Sequence, residues 1–388
     1  MNEIKPLGAG VRADTGVTIT KIETIPLHTP FKTPFKISNG APRPIVETLI
    51  VRLHTDAGFV GIGETQAWRR QGSAETLPNL VRNIHDHFTP HVVGRSPFEI
   101  AAIMNDLDET LYNSTYAQAP IADALYDLQG KILGVPVYQL LGGKCRSSIA
   151  VCAVLSIKPT LAETMDNAQA FFDRGFRCYT LKIGNDPAAD VALASAMRDK
   201  FGDTVRLRAD ANAGMGYDEA LMLLKKLEPF DLDAVEQPVG KWDVDGLAEL
   251  ARKVNMPIMA DECVLTEHDL LDVIKKRAAT VFQTKVAKNG GIWGMRKLWT
   301  ISHAAGMRIY PGNHPSTSVA TASAAHLAAS WPYPLLEGPF AVGVSGALAD
   351  DYAVDPIRPD GNLIHVPEGP GLGIELDEDK LKKYRVDA

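Results

Sequence analysis

The sequence predicts an α/β chain: a (β/α)7β barrel preceded by a smaller α+β unit. Five ionisable residues, Lys182, Asp210, Glu236, Asp261 and Lys285, stand 28, 26, 25 and 24 residues apart, roughly the length of one strand-plus-helix unit of such a barrel. Each closes a short apolar run: TLK at 180–182, VRLRAD at 205–210, DAVEQP at 233–238, PIMAD at 257–261 and VFQTK at 281–285. From about residue 148 strand and helix signals alternate regularly, whereas the first 145 residues read as a sheet followed by helices.

In chain order, residues 1–17 form a polar leader. TITKIETIPLHT (18–29) and IVETLIVRLHTDAGFVGIGET (45–65) alternate in the manner of strands, and DAG supplies a turn. Between them PFKTPFKIS (30–38) carries Phe31, Phe35, two prolines and two lysines, which suit either a lid or a plain surface loop. Residues 76–144 read as helical. Barrel strands are expected near 149–157, 178–183, 205–210, 232–236, 257–261, 280–285, 307–311 and 334–337. Thr160 with Glu163, and Thr266 with Asp269, give capping-box starts to two intervening helices. The eighth strand, PLLEG, leads into a Gly-, Asp- and Pro-rich tail rather than a long helix. The domains expected are therefore 1–145, with 346–388 returning to it, and a barrel at 146–345.

The 388 residues suffice for a large core and a second domain. A net charge of −7 with no basic tract excludes a nucleic-acid binder. No apolar run approaches a membrane span. The four cysteines (Cys145, Cys152, Cys178, Cys263) show neither CxxC spacing nor a secretory disulfide pattern, and MNEIKPLGAGVRADTG has no signal-peptide core. A reduced, cytoplasmic protein is expected.

Strand C-termini converge at the mouth of a βα barrel, so three carboxylates should meet there between two lysines. An oxygen-only set without histidine or cysteine suits Mg²⁺. Such an ion can grip a substrate carboxylate and stabilise the anion left when the adjacent carbon loses its proton. Lys182 and Lys285, on the second and sixth barrel strands, can address opposite faces of that anion. Singly, Asp210 or Asp261 would serve equally as a helix cap, Glu236 as a loop carboxylate, and either lysine as a solvated charge. The set in one register is what favours the metal site. Asn212 and Glu262 stand beside the ligands as supporting partners or as caps.

TLKIG, RADAN, VEQP, MADE and TKVAKNGG, with GIGET and LGVPVYQLLGG upstream, resemble the signature segments of the mandelate racemase and muconate lactonizing enzyme family of the enolase superfamily. The resemblance covers most of the chain. It implies a modified TIM barrel with an α+β capping domain, Mg²⁺ on Asp210, Glu236 and Asp261, acid/base lysines Lys182 and Lys285, a small carboxylate substrate and a homo-oligomer. The sixth-strand lysine places the chain nearer the muconate lactonizing branch.

Three departures bear on the substrate. The family's K-x-K on the second strand has Thr180 in place of its first lysine. The seventh strand ends YPGNHPSTS, with Ser316 where muconate lactonizing enzymes carry glutamate and with Asn313 and His314 as new polar candidates. The D-x-D pattern of dipeptide epimerases is missing after the eighth strand, where Glu337 stands alone in LEGPF. The threonine resembles members acting on hydroxyproline, cis-3-hydroxy-L-proline dehydratases in particular, with Glu337 meeting the substrate ammonium. Cycloisomerisation, racemisation and a catalytically lapsed binding protein are the other readings.

Overall fold

The computed structural model describes residues 16–35, 42–68, 75–338 and 346–387. The leader up to residue 15 and residues 36–38 of the lid-like segment lie outside them.

Three antiparallel strands come first: β1 (Ile19–Phe35), β2 (Arg43–Thr55) and β3 (Val60–Gln66), in that spatial order. The expected DAG turn joins the last two, with Thr55 N–H donating to the Phe59 carbonyl (3.0 Å). Residues 30–35 continue β1 rather than forming a separate loop, and Phe35 pairs with Arg43. The sheet lies on the buried helix Thr115–Leu133. The approach is close enough to require glycine in β3: a Cβ on Gly63 would sit 2.0 Å from the Pro120 carbonyl oxygen.

The barrel strands are β5 (Ala153–Leu155), β6 (Cys178–Lys182), β7 (Arg206–Asp210), β8 (Ala234–Glu236), β9 (Ile258–Ala260), β10 (Val281–Lys285) and β11 (Arg308–Gly312), after a short β4 (Ser148–Ala150). They form one parallel sheet in chain order from β5 to β11. Cys152, Cys178, Ala234, Met259, Val281 and Tyr310 pack as a cluster within it. Helices such as Pro187–Phe201, Tyr217–Leu227 and Gly291–Ala304 fill the connections. Thr160 caps its helix as expected, accepting from Glu163 N–H (3.2 Å).

Two strand expectations change. The run at 149–157 divides, because β4 leaves the barrel to pair antiparallel with β12 (Leu363–His365). The eighth strand is reduced to a seam: Leu336 N–H donates to Ile309 O (2.9 Å), Gly338 bridges Val151, and Cys152 N–H donates to Gly338 O (3.1 Å). Beyond it the tail runs back over β1, where Val386 N–H donates to Pro26 O (3.1 Å).

Three fully buried carboxylates sit where these layers meet. Asp123 accepts from Ile292 N–H (2.8 Å), Asp127 from Ile62 N–H (2.9 Å) and Leu372 N–H (2.7 Å), and Glu64 from Thr317 and Ala320. Burial raises all three, and it pushes Asp123 up to about 7. An acid raised by folding binds its proton more tightly in the native state, so its stabilisation is full at low pH and is lost as pH rises from about 4 to 7. Asp123→Asn keeps the acceptor for Ile292 and removes this titration. Urea unfolding should show the wild type losing roughly 2–4 kcal/mol more than the variant between pH 5 and 8. Parallel profiles would exclude Asp123 as the titrating group.

Candidate active site

Strand pairing builds the site. Lys182 lies opposite Asp210, and Asp210 opposite Glu236, in one row across the C-terminal ends of β6, β7 and β8. Asp261 follows β9, and Lys285 ends β10. β6 and β10 are separated by three strands of the curled sheet, so the lysines enter from its two sides. All five side chains are buried.

None of the acids caps a helix. The helices after Asp210 and Asp261 begin at Tyr217 and Glu267, behind Gly216 and Thr266. Asp210 instead accepts from Lys182 Nζ, from Asn212 N–H (2.8 Å) and from Asn212 Nδ2 (3.0 Å), while Asn212 Oδ1 accepts from Lys182 Nζ (3.1 Å). Asn212 takes a left-handed conformation (φ 48°) to do this. Asp261 accepts from Lys285 Nζ and from Lys288 Nζ (2.7 Å). Glu236 lies 4.0 Å from Lys285 Nζ, and the Gln283 amide, turned to donate, reaches its Oε2 at 2.6 Å.

The electrostatics follow from crowding charge into a dry mouth. Burial, then the charges of Asp210 and Asp261, hold the Glu236 carboxyl well above the usual range. Burial works the same way on Asp261, but Lys285 and Lys288 outweigh it and hold that acid ionised. Burial would lower Lys285; Asp261 and Glu236 overcome it and keep the ammonium form. Glu262 is pushed up to about 8 by burial and by Asp261. Among the described residues no three acidic, histidine or cysteine groups are drawn together as a closed metal cage, the lysines pairing with the acids instead. The donor set nevertheless fits a hard dication, which would relieve the mutual repulsion that Glu236 registers.

Further groups line the same cavity, about 50 Å³ in volume. His314 stacks on Trp68 and Tyr116 (ring centroids 5.5 and 5.6 Å apart), and the Arg43 guanidinium lies 4.3 Å from the Trp68 ring centre. Burial, then Lys285, holds His314 neutral. Neither ring nitrogen of His314 and neither amide atom of Asn313 has a partner among the described residues. Groups this buried and unmatched suit a ligand. Thr180 is committed elsewhere: its hydroxyl meets Tyr310 OH (2.9 Å), which also meets Cys152 Sγ (3.1 Å).

Glu337 corrects the expectation that it meets a substrate ammonium at the mouth. It pairs with Arg206, the first residue of β7, and with Arg208 (3.2 Å), whose guanidinium also holds Asp233 (2.8 Å) ahead of β8. That cluster belongs to the opposite, N-terminal end of the strands.

Lys288, Gln283, Tyr310, Trp68 and Tyr116 were not singled out by spacing. Lys288 had a signal in TKVAKNGG, where a second lysine follows the strand-ending one by three residues. Trp68 and Tyr116 arrive from the N-terminal unit, and local pattern does not report that juxtaposition.

Comparison with known proteins gives the family of the chain. Residues 19–142 match the mandelate racemase/muconate lactonizing enzyme N-terminal domain, and 163–380 the enolase C-terminal domain-like family. The chain is 31% identical to an N-succinyl-L-Arg/Lys racemase of Bacillus cereus, over 95% of this chain and 98% of that one. It is 32% identical to muconate cycloisomerase 1 of Rhodococcus opacus, over 95% and 99%. The crystal structure of muconate lactonizing enzyme from Pseudomonas fluorescens, complexed with muconolactone, superposes with a TM-score of 0.90 at 30% identity, over 95% of this chain and 99% of that one. No helix among the described residues is long and apolar enough to cross a membrane. With both halves matched and the whole length shared with racemases and cycloisomerases, the chain belongs to the mandelate racemase/muconate lactonizing enzyme family of the enolase superfamily and is an enzyme of the isomerase/lyase type.

Proposed function

We propose that this enzyme removes the α-proton of a small carboxylate, with Lys182 and Lys285 as the two acid/base groups and Asp210, Glu236 and Asp261 as the ligands of Mg²⁺. The observation that carries the reading is the buried series of lysine, three carboxylates and lysine across the C-terminal ends of β6 to β10. When bound, Mg²⁺ supplies the charge that stabilises the enediolate. One lysine takes the proton from one face, and the other returns a proton to the opposite face. Asp261 and Glu236, which lie against the Lys285 ammonium here, would hold the cation, and Lys285 would then be free of them to serve as a base. Asn212 orients Lys182, and Lys288 orients Asp261. The N-terminal unit, residues 1–145 with 346–388, acts as the cap that brings Trp68 and Tyr116 to His314.

Inversion at the α-carbon, as racemase or epimerase, is the outcome that two opposed lysines favour. Dehydration of a hydroxyproline-like amino acid keeps the support of Thr180, which leaves room for a substrate bringing its own cation. It loses Glu337, which Arg206 and Arg208 occupy. Ring closure of a muconate-like diacid uses the same intermediate.

Proton NMR in deuterated buffer across amino-acid, N-acylamino-acid, sugar-acid and muconate carboxylates separates these outcomes. α-Deuterium incorporation, abolished by EDTA and restored by Mg²⁺, is expected. Loss of the β-hydroxyl from cis-3-hydroxy-L-proline would favour dehydration, and turnover of muconate alone would favour cycloisomerisation. Full activity after exhaustive chelation would exclude the metal-assisted reading.

A further inference from the structure

Two thiols that proton abstraction does not use stand side by side in the barrel. Ala153 on β5 lies opposite Tyr179 on β6, so the residues just before them, Cys152 and Cys178, face each other across the same parallel pair. Both side chains enter one buried cluster inside the sheet, with Ala234 and Tyr310. Adjacent strands run about 4.8 Å apart, within the roughly 4.4–6.8 Å between Cα atoms that a disulfide spans. Both thiols are free.

Their surroundings give them different roles. Cys152 Sγ meets Tyr310 OH (3.1 Å) and Thr180 Oγ1 (3.5 Å). Arg208, opposite Thr180 in the register and 4.8 Å from the Tyr310 ring centre, brings a buried cation to the same place. Burial alone would raise the Cys152 thiol. The Cys178 thiol, which donates to it, then Arg208 and the two hydroxyls outweigh burial and hold it below the ordinary value. Cys178 keeps its proton, raised by that hydrogen bond and by burial. Cys152 also forms part of the wall of a cavity of about 400 Å³ beside residues 31–35 of β1, which gives a small solute a way in. The other two cysteines lack this set. Burial pushes Cys263 up to about 12, and Cys145, which is exposed, donates to the Ser330 carbonyl (3.4 Å). A reachable thiol with thiolate character beside a second thiol is the pattern of an oxidisable pair.

We propose that Cys152 and Cys178 form an oxidation site that takes a small peroxide and closes to a disulfide between β5 and β6. The Cys152 thiolate sulfur attacks one peroxide oxygen. The O–O bond breaks, hydroxide leaves and is protonated to water, and Cys152 becomes a sulfenic acid. The Cys178 sulfur then attacks the Cys152 sulfur, the S–O bond breaks, and the departing hydroxide takes the Cys178 proton as a second water. Two thiols are oxidised and one peroxide is reduced to two waters. Closure withdraws Cys152 from Thr180 and Tyr310, both of which line the catalytic cavity. The pair is independent of whether Lys182 and Lys285 move a proton.

The test treats the folded full-length protein with one equivalent of hydrogen peroxide at neutral pH. Remaining thiols are then blocked with N-ethylmaleimide under denaturation, and tryptic peptides are read by mass spectrometry. The expected product is a Cys152–Cys178 link that dithiothreitol reverses, with Cys152 consumed about tenfold faster than Cys145. Cys178→Ser removes the second thiol and should leave a sulfenic acid at Cys152, captured by dimedone. Cys152→Ser should leave Cys178 unoxidised over the same time. Recovery of Cys152 and Cys178 as free thiols while Cys145 is oxidised would overturn the proposal, and so would a Cys178 that reacts equally without Cys152. The wild-type measurement decides the link even where a serine variant fails to fold.

Discussion

Lys285→Ala is expected to lower inversion of the α-carbon by about a thousandfold, the range for loss of a positioned acid/base group, and Lys182→Ala by a similar factor. The two variants should differ in what they retain. Each keeps one lysine on one side of the sheet, so each should still exchange the α-proton of a single enantiomer with solvent deuterium, and opposite enantiomers in the two cases. Proton NMR of both enantiomers of whichever carboxylate the wild type exchanges reads this directly. Near wild-type turnover in both variants would end the paired-base account. A dead Lys285 variant beside an active Lys182 variant would point to a one-base lyase.

The second large effect falls on stability. Lys288 has no exposed side-chain surface, and its ammonium donates to Asp261 Oδ1 (2.7 Å), Asp261 O (2.6 Å) and Gln283 O (3.1 Å). Lys288→Met preserves the apolar stem and strands three buried acceptors, one of them charged. Breaking a buried pair from one side costs about 3 kcal/mol or more, and urea unfolding of the metal-free protein should show a loss of that size. A loss below about 1 kcal/mol would mean that Lys285 alone balances Asp261.

The five charged residues that could be read from sequence share a property: each ends a barrel strand or directly follows one. In a parallel barrel the strand end is where chain direction, burial and function coincide, so Lys182, Asp210, Glu236, Asp261 and Lys285 were visible as a rhythm. Residues acting from inside a strand obey a different period. In VRLRAD, alternation puts Arg206, Arg208 and Asp210 on one face, and the two arginines explain why Glu337 is drawn away from the mouth. Glu337 departs from the expectation because its short strand is held among the described residues by the Leu336–Ile309 and Cys152–Gly338 hydrogen bonds and the Gly338–Val151 bridge, so its height is set by tertiary closure rather than local pattern. His314 was visible as a polar novelty, but its stacking partners come from residues some two hundred or more positions earlier.

Glu64, from the GIGET stretch, accepts from Thr317 N–H (3.0 Å), Thr317 Oγ1 (2.7 Å) and Ala320 N–H (2.9 Å) at the start of the helix Ser318–Ser330. The chain between Gly312 and Thr317, which carries Asn313, His314 and Ser316, is therefore pinned at both ends: by β11 on one side and by an acid from β3 on the other. It works as a strut rather than a hinge. The antiparallel sheet cannot swing away from the barrel while this peg stays seated, because its release would leave a carboxylate and three donors unmatched in a dry interior. Access for substrate must then come from segments that this peg does not hold, and the gap between Trp68 and His314 is set by the scaffold before any ligand arrives.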